Sequence, residues 1–129
     1  MTSLTERQHT GEFIVDEPST KISRQKVTVT VAASTRLQPG HVLAKLSASG
    51  KYVEYDNSGS DGSEAAAGVL YGELDNSAGG APADFTGVVV TRLAAVRKAD
   101  LKWFSGAVDA DKTAAYADMA TSLLIAVDL

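Results

Sequence analysis

Residues 27–55 read VTVTVAASTRLQPGHVLAKLSASGKYVEY. Val27, Val29 and Val31 alternate with Thr28 and Thr30, the period of two that marks a half-buried strand. Leu37-Gln38-Pro39-Gly40 follows, and proline then glycine suits the two central positions of a type II turn, where glycine takes the positive φ. Residues 41–47 (HVLAKLS) predict a second strand, Ala48-Ser49-Gly50 a turn, and residues 51–55 (KYVEY) a third strand. The spacing predicts a hairpin, and with it a mainly β chain.

Downstream the pattern continues. Residues 56–63 (DNSGSDGS) form a loop by composition. Residues 67–74 (AGVLYGEL) predict a strand with Val69 and Tyr71 on one face and Leu70 and Leu74 on the other, and Gly68 and Gly72 mark a bulge or a close backbone approach. Residues 75–84 form a second loop. Residues 86–96 (TGVVVTRLAAV) are a long β-prone run without clean alternation, which predicts a part buried on both faces. A single helix is predicted near the end, capped by Asp109, with Asp109 and Asp111 at its positive pole and Tyr116, Met119, Ala120 and Leu123 as its apolar stripe. Residues 124–129 (LIAVDL) predict a final strand.

Upstream the composition changes. Only six of the first 26 residues are hydrophobic, about half the density of the whole chain, too little apolar surface to offset the entropy of ordering the backbone. Residues 1–25 are therefore expected to form an extended arm and residues 26–129 one β-rich domain. Within the arm Phe13-Ile14-Val15 is a compact β-prone cluster flanked by Glu12 and by Asp16-Glu17-Pro18. It suits addition to another chain's sheet edge and equally suits pairing with its own domain.

The 129 residues fit one domain, and the lack of cysteine excludes disulfides, thiolate nucleophiles and zinc–thiolate sites. No apolar run is long enough for a membrane helix, and the first residues carry no apolar signal core. Charge is uneven: residues 1–51 carry seven basic and four acidic side chains, residues 52–84 none and seven, and residues 85–129 five of each. The net −4 argues against a dedicated nucleic-acid binder. A basic front and an acidic middle can orient subunits or partners.

Candidate chemistry is sparse. His9 and His41 have no second histidine at ligand spacing, and His41, beside a turn, is expected at the surface. The acidic stretch 56–64 fails the EF-hand pattern, with Asp61 where glycine is required and Ala67 where glutamate is required. Ser23-Arg24-Gln25-Lys26 matches S-x-x-K without its companion motifs. No catalytic residue, metal or cofactor is expected. Trp103-Phe104 is the densest aromatic feature and suits either core packing or a subunit contact.

Several segments, in order, resemble the lambda-type bacteriophage head decoration protein family. They are Gly11-Glu12-Phe13-Ile14-Val15, Ser23-Arg24, residues 37–43 (LQPGHVL), Ser49-Gly50-Lys51-Tyr52-Val53, residues 60–71 (SDGSEAAAGVLY), the segment Leu101-Lys102-Trp103-Phe104, the alanine-rich helix and the terminal strand. Where the family carries V-L-W-P, this chain has Asp100-Leu101-Lys102-Trp103-Phe104, without the proline. The resemblance implies a β-clip-like bent ribbon or small barrel with one C-terminal helix and an extended N-terminal arm. It implies a homotrimer on the outer surface of the expanded icosahedral head of the virion, at local three-fold positions. There it would act as cement against DNA pressure, with the major capsid protein as partner and no direct contact to nucleic acid or membrane. Synthesis in the bacterial host cytoplasm is implied as well. Glu12, Phe13, Ile14 and Val15 would then form the capsid-binding strand of the arm, with Phe13 and Val15 as anchors. Pro39, Trp103 and Phe104 are candidates for a subunit or capsid interface.

A small β-clip binding module, or an accessory domain of an enzyme, is the alternative. Gln38-Pro39-Gly40-His41-Val42-Leu43 is also similar to the G-x-V-L turn of barrel-like carrier domains, in which a modified lysine sits at a hairpin tip. Lys51 follows the Ser49-Gly50 turn, but its neighbours do not match the usual tip sequence.

Overall fold

In the computed structural model, which describes residues 9–128, the valine–threonine alternation runs through strand β2 (Arg24–Val31). Val29 and Val31 are fully buried, while Thr28 points to solvent. β2 pairs along its whole length, antiparallel, with β8 (Ala83–Val90), from Arg24↔Val90 to Val31↔Ala83. The predicted hairpin is present as β4 (Val42–Lys45) against β5 (Tyr52–Glu54). With β6 (Ala66–Leu70), these strands close a five-stranded barrel in the order β2-β5-β4-β6-β8. Closure is completed by a short parallel contact between β2 and β5 at Val29↔Tyr52.

Two apolar cores share one wall of this barrel. Val29, Val31, Leu43, Tyr52, Leu70 and Val89 pack together. Every barrel strand contributes to this set, so it is the barrel interior. The second core takes the opposite faces of three of the same strands: Val42 and Ala44 of β4, Ala66 and Val69 of β6, and Val90 of β8. Strands buried on both faces carry apolar residues without alternation, which accounts for the runs Val42-Leu43-Ala44 and Val88-Val89-Val90. Within β6 the faces switch across a bulge, because Leu43 pairs with Gly68 but Ala44 pairs with Ala66. Gly68 is needed there for close approach: a Cβ would lie 2.6 Å from Val89 Cγ1 and 2.8 Å from the Val90 carbonyl oxygen.

The second core is covered by helix α2 (Asp109–Ala120) and by a three-stranded sheet. In that sheet β9 (Ala94–Arg97) lies between β1 (Ile14–Asp16), antiparallel, and β10 (Leu124–Val127), parallel. A short helix α1 (Thr20–Ser23) leads into β2, and β3 (Thr35–Leu37) pairs with β7 (Leu74–Asn76) at the barrel's end. There the buried Asn76 amide donates to the carbonyls of Val31, Ala32 and Ala81 and ties down the second loop.

Several expectations are corrected. The strand predicted over 67–74 ends at Leu70, and Leu74 begins β7. The face assignment nonetheless holds, with Val69 and Tyr71 on the second core and Leu70 and Leu74 on the barrel interior. The run 86–96 is two strands, broken at residues 91–93, where Leu93 takes φ 51° and the chain leaves the barrel for the sheet. Asp109 is the first helical residue rather than the cap; Val108 occupies that position, and Asp111 Oδ2 accepts its N–H at 3.1 Å. The buried helix positions are Ala115 and Met119, with Tyr116 half-buried. Ala120 and Leu123 are exposed, because the helix stops at Ala120 and Leu123 turns outward at φ 59°. Of the predicted final strand, Leu129 lies outside the described residues.

The Pro39-Gly40 turn forms as predicted, with the His41 N–H donating to the Gln38 carbonyl at 3.1 Å and Gly40 at φ 93°. It also locks two distant segments. The Gly40 N–H donates to the Leu70 carbonyl, and the Gly40 carbonyl accepts from the Lys102 N–H. A Cβ on Gly40 would lie 2.5 Å from the Asp100 carbonyl oxygen, which the chain holds in place. Gly40→Ala combines a left-handed φ with that clash and is expected to lower stability by about 2 kcal/mol or more. Urea unfolding checks this, and an unchanged midpoint would contradict it.

Candidate functional site

The segment expected as an extended arm is joined to the folded body from Gly11 onward. The Gly11 N–H donates to the Tyr71 carbonyl at 3.1 Å, and the Phe13 carbonyl accepts from the Arg97 N–H at 2.8 Å. The Phe13 side chain is fully buried in the second core. Ile14 packs against the same core and pairs with Val96, while Glu12 and Val15 are exposed. The Phe13 ring, expected as a capsid anchor, has its contacts within the chain here. Low apolar density made the arm look unable to pack, but one phenylalanine in a closed core outweighs several polar neighbours. Residues 1–8 of the expected arm lie outside the described residues.

A polar staple finishes the job. Glu17 has only 6% of its side chain exposed and accepts from Arg24 Nη2 at 2.6 Å and Nε at 2.9 Å. The Ser23 hydroxyl donates to the same carboxylate, and the Arg24 guanidinium lies 4.0 Å over the Tyr71 ring. Burial alone would raise the Glu17 carboxyl; the hydrogen bonds from Arg24 and Ser23 and the Arg24 charge outweigh it and hold the group below the usual carboxylate range. This explains Ser23, whose match to S-x-x-K carries no catalytic geometry.

The remaining sequence candidates fall in separate places. Pro39 is buried in its turn. Trp103 and Phe104 are half-buried and pack edge-on around Tyr55 at centroid distances of 6.2 and 5.8 Å, and Trp103 meets Tyr116 of α2 at 5.6 Å. The Tyr55 hydroxyl donates to the Asp111 carbonyl at 2.8 Å. Burial first, then Asp118, Asp111 and Asp56, push this phenol upward, so it stays a donor at neutral pH. Phe13, Ile14, Trp103 and Phe104 all pack on the second core, while Glu12 and Val15 are exposed.

His41, expected at the surface, is buried, with its Nε2 2.5 Å from Glu54 Oε2. Lys51 Nζ lies 2.6 Å from Asp84 Oδ2, and the Thr30 hydroxyl donates to the same carboxylate. The acidic loop closes on itself: Asp56 accepts from the hydroxyl and N–H of Ser58, and Asp61 likewise from Ser63. These bonds hold both carboxyls below their usual range. Among the described residues no group of three or more His, Cys, Asp or Glu side chains is placed to hold a metal.

What the described residues do present is an open sheet. β1 and β10 are its two margins, and Val15 and Ile125 are exposed on them. The family model for bacteriophage lambda head decoration protein D matches residues 3–124, and the chain belongs to that family. It is a family of structural phage capsid proteins, which places the chain on the capsid of a phage virion. No curated protein matches the chain.

Glu17→Gln tests the staple. A folded-state carboxyl held low contributes stability that is complete above the unfolded carboxyl's ordinary value and is lost as pH falls through the folded value. The variant is expected to lose about 2 kcal/mol near neutral pH, with the gap to wild type closing in acid. A pH-independent gap in urea unfolding would contradict this.

Proposed function

We propose that the chain is a cement protein that binds the outer surface of the expanded head as a trimer at local three-fold positions and stabilises the shell against DNA pressure. Its partner is the major capsid protein, and the contact is strand addition. The observation that carries this reading is β1: a strand on an open margin of the β1-β9-β10 sheet, preceded by the buried Phe13 and followed by the Glu17–Arg24 staple. An edge fixed at both ends is preorganised, so main-chain pairing with a capsid-protein strand would not have to offset the ordering of a free chain.

The thermodynamics need no covalent chemistry. A ligand that binds the expanded shell and not its disrupted form stabilises the shell by mass action. Three copies of a modest contact on one trimer add through effective concentration to strong retention. Of the two expected anchors Val15 is the one that carries this reading, because Val15 is 38% exposed and Phe13 is fully buried.

Val15→Asp is expected to leave the melting temperature near that of wild type and to reduce occupancy on purified expanded shells at least about tenfold. Phe13→Ala is expected to lose about 3–5 kcal/mol of stability instead, as a core truncation. Sedimentation of shells with bound protein measures the first and urea unfolding the second. Wild-type occupancy for Val15→Asp would sink the β1-edge mechanism.

A further inference from the structure

The two margins of the β1-β9-β10 sheet are built differently. β1 is three residues long, its register shifts between Ile14 and Asp16, and Asp16, Glu17 and Pro18 bring it to an end. A bulge, charge and proline are the devices by which an edge strand resists indiscriminate pairing. β10 has none of them. Its register against β9 runs unbroken from Leu124↔Ala94 to Val127↔Arg97, and residues 123–127 carry no charge and no proline. Leu123 and Ile125 are 59% and 42% exposed. A bare apolar edge left uncovered is an aggregation hazard, so its lack of defences points to a partner.

The main chain says what this margin can hold. The Ala94 N–H donates to the Leu123 carbonyl. In a parallel ladder alternate residues of a strand bond to a given neighbour. Ile125 and Val127 therefore turn their N–H groups toward β9, while Leu124 and Ala126 turn both N–H and C=O away from it. These groups stand in a row on the outer side of β10, where the sheet has no further strand, and no turn or side-chain hydrogen bond among the described residues takes them. Alternating donors and acceptors at strand spacing are complementary to another extended backbone. The aliphatic Leu123 and Ile125 beside them suit an uncharged, apolar segment.

We infer that β10 is a second docking edge and that its occupant is an extended, aliphatic segment of the capsid protein. This rests on the capsid partner of the proposed function and not on the β1 edge. The chain belongs to a family of structural capsid proteins, so capsid chains are the polypeptides its bare edge meets in the virion. A sheet filled on both margins becomes five-stranded, with two capsid segments held about 19 Å apart, four strand spacings. Separating those segments then requires breaking one of two rows of main-chain hydrogen bonds, which is the resistance a cement supplies.

The test is amide hydrogen exchange on the full chain, free and bound to purified expanded shells, read by fragment mass spectrometry over residues 124–127. In the free chain the Leu124 and Ala126 amides are expected to exchange fast and those of Ile125 and Val127 slowly. On shells the Leu124 and Ala126 amides are expected to slow at least about tenfold. Two variants probe the same edge. Ile125→Lys puts a charge on an exposed position, and Ala126→Pro removes an outward N–H without breaking a bond to β9. Both are expected to melt near the wild-type temperature and to lose at least about tenfold in shell occupancy. If the proline lowers the melting temperature, Ile125→Lys decides. The inference is overturned by bound chain whose Leu124 and Ala126 amides stay fast, or by Ile125→Lys occupying shells like wild type. It is equally overturned if those amides are already slow in the free chain, which would assign the edge to a second copy or to another segment of this chain. Wild-type protein that does not bind shells overturns the proposed function and this inference together. Normal occupancy of Val15→Asp with protected β10 amides overturns the β1 edge and upholds this one.

Discussion

The wall formed by β4, β6 and β8 is buried on both faces, and the rest of the molecule is arranged to make that tolerable. Leu43, Leu70 and Val89 fill the barrel, while Val42, Val69 and Val90, their immediate neighbours in sequence, face the second core. Without a cover, the second set would stand in water, at about 1.5–3 kcal/mol for each large side chain. The cover is α2 together with the β1-β9-β10 sheet, and Phe13 lies in the space between. The barrel therefore depends on elements from both ends of the chain: the segment from Gly11 onward and the last strand, β10.

That dependence shapes how the protein can work. A margin of the covering sheet is the natural place for a partner strand, because the barrel strands already pair with one another in a closed ring. β1 lies on that margin under three constraints, namely Phe13 in the core, the Arg97 N–H on its carbonyl, and the Glu17–Arg24 pair. The same sheet carries the strained Leu93 and Leu123 at the start of its other two strands. A cover built to shield the second core thus also carries exposed apolar side chains on its margins.

Much of the local structure was legible. The Val27–Val31 alternation, the Pro39-Gly40 turn, the hairpin, the bulge at Gly68 and one helix near the end all follow from residue type and spacing. The breaks were harder. The chain turns at residues 91–93 with no glycine or proline to announce it, because Leu93 accepts a left-handed φ that no local rule predicts. His41 looked like a turn residue and is buried where bonds from Gly40 and Val42 hold its segment beside Lys102. Asn76 sat in a loop by composition, yet its amide is the plug that closes the barrel end.

Of the candidate interaction site, the cluster Glu12 to Val15 was identified from sequence, while the split between its side chains was not. Period two says only that Phe13 and Val15 lie on one side of a regular strand. The bulge between Ile14 and Asp16 breaks that rule, so Phe13 enters the core and Val15 does not. By itself the sequence determined a β-rich, cysteine-free chain with one helix, and the order of segments that marks its family, because alternation, turn chemistry and composition act over a few residues. Only the tertiary structure decided which faces are buried twice, that Phe13 belongs to the body, and which apolar side chains stay exposed. Burial is a property of what packs on the far side of a strand, and residues distant in sequence supply it.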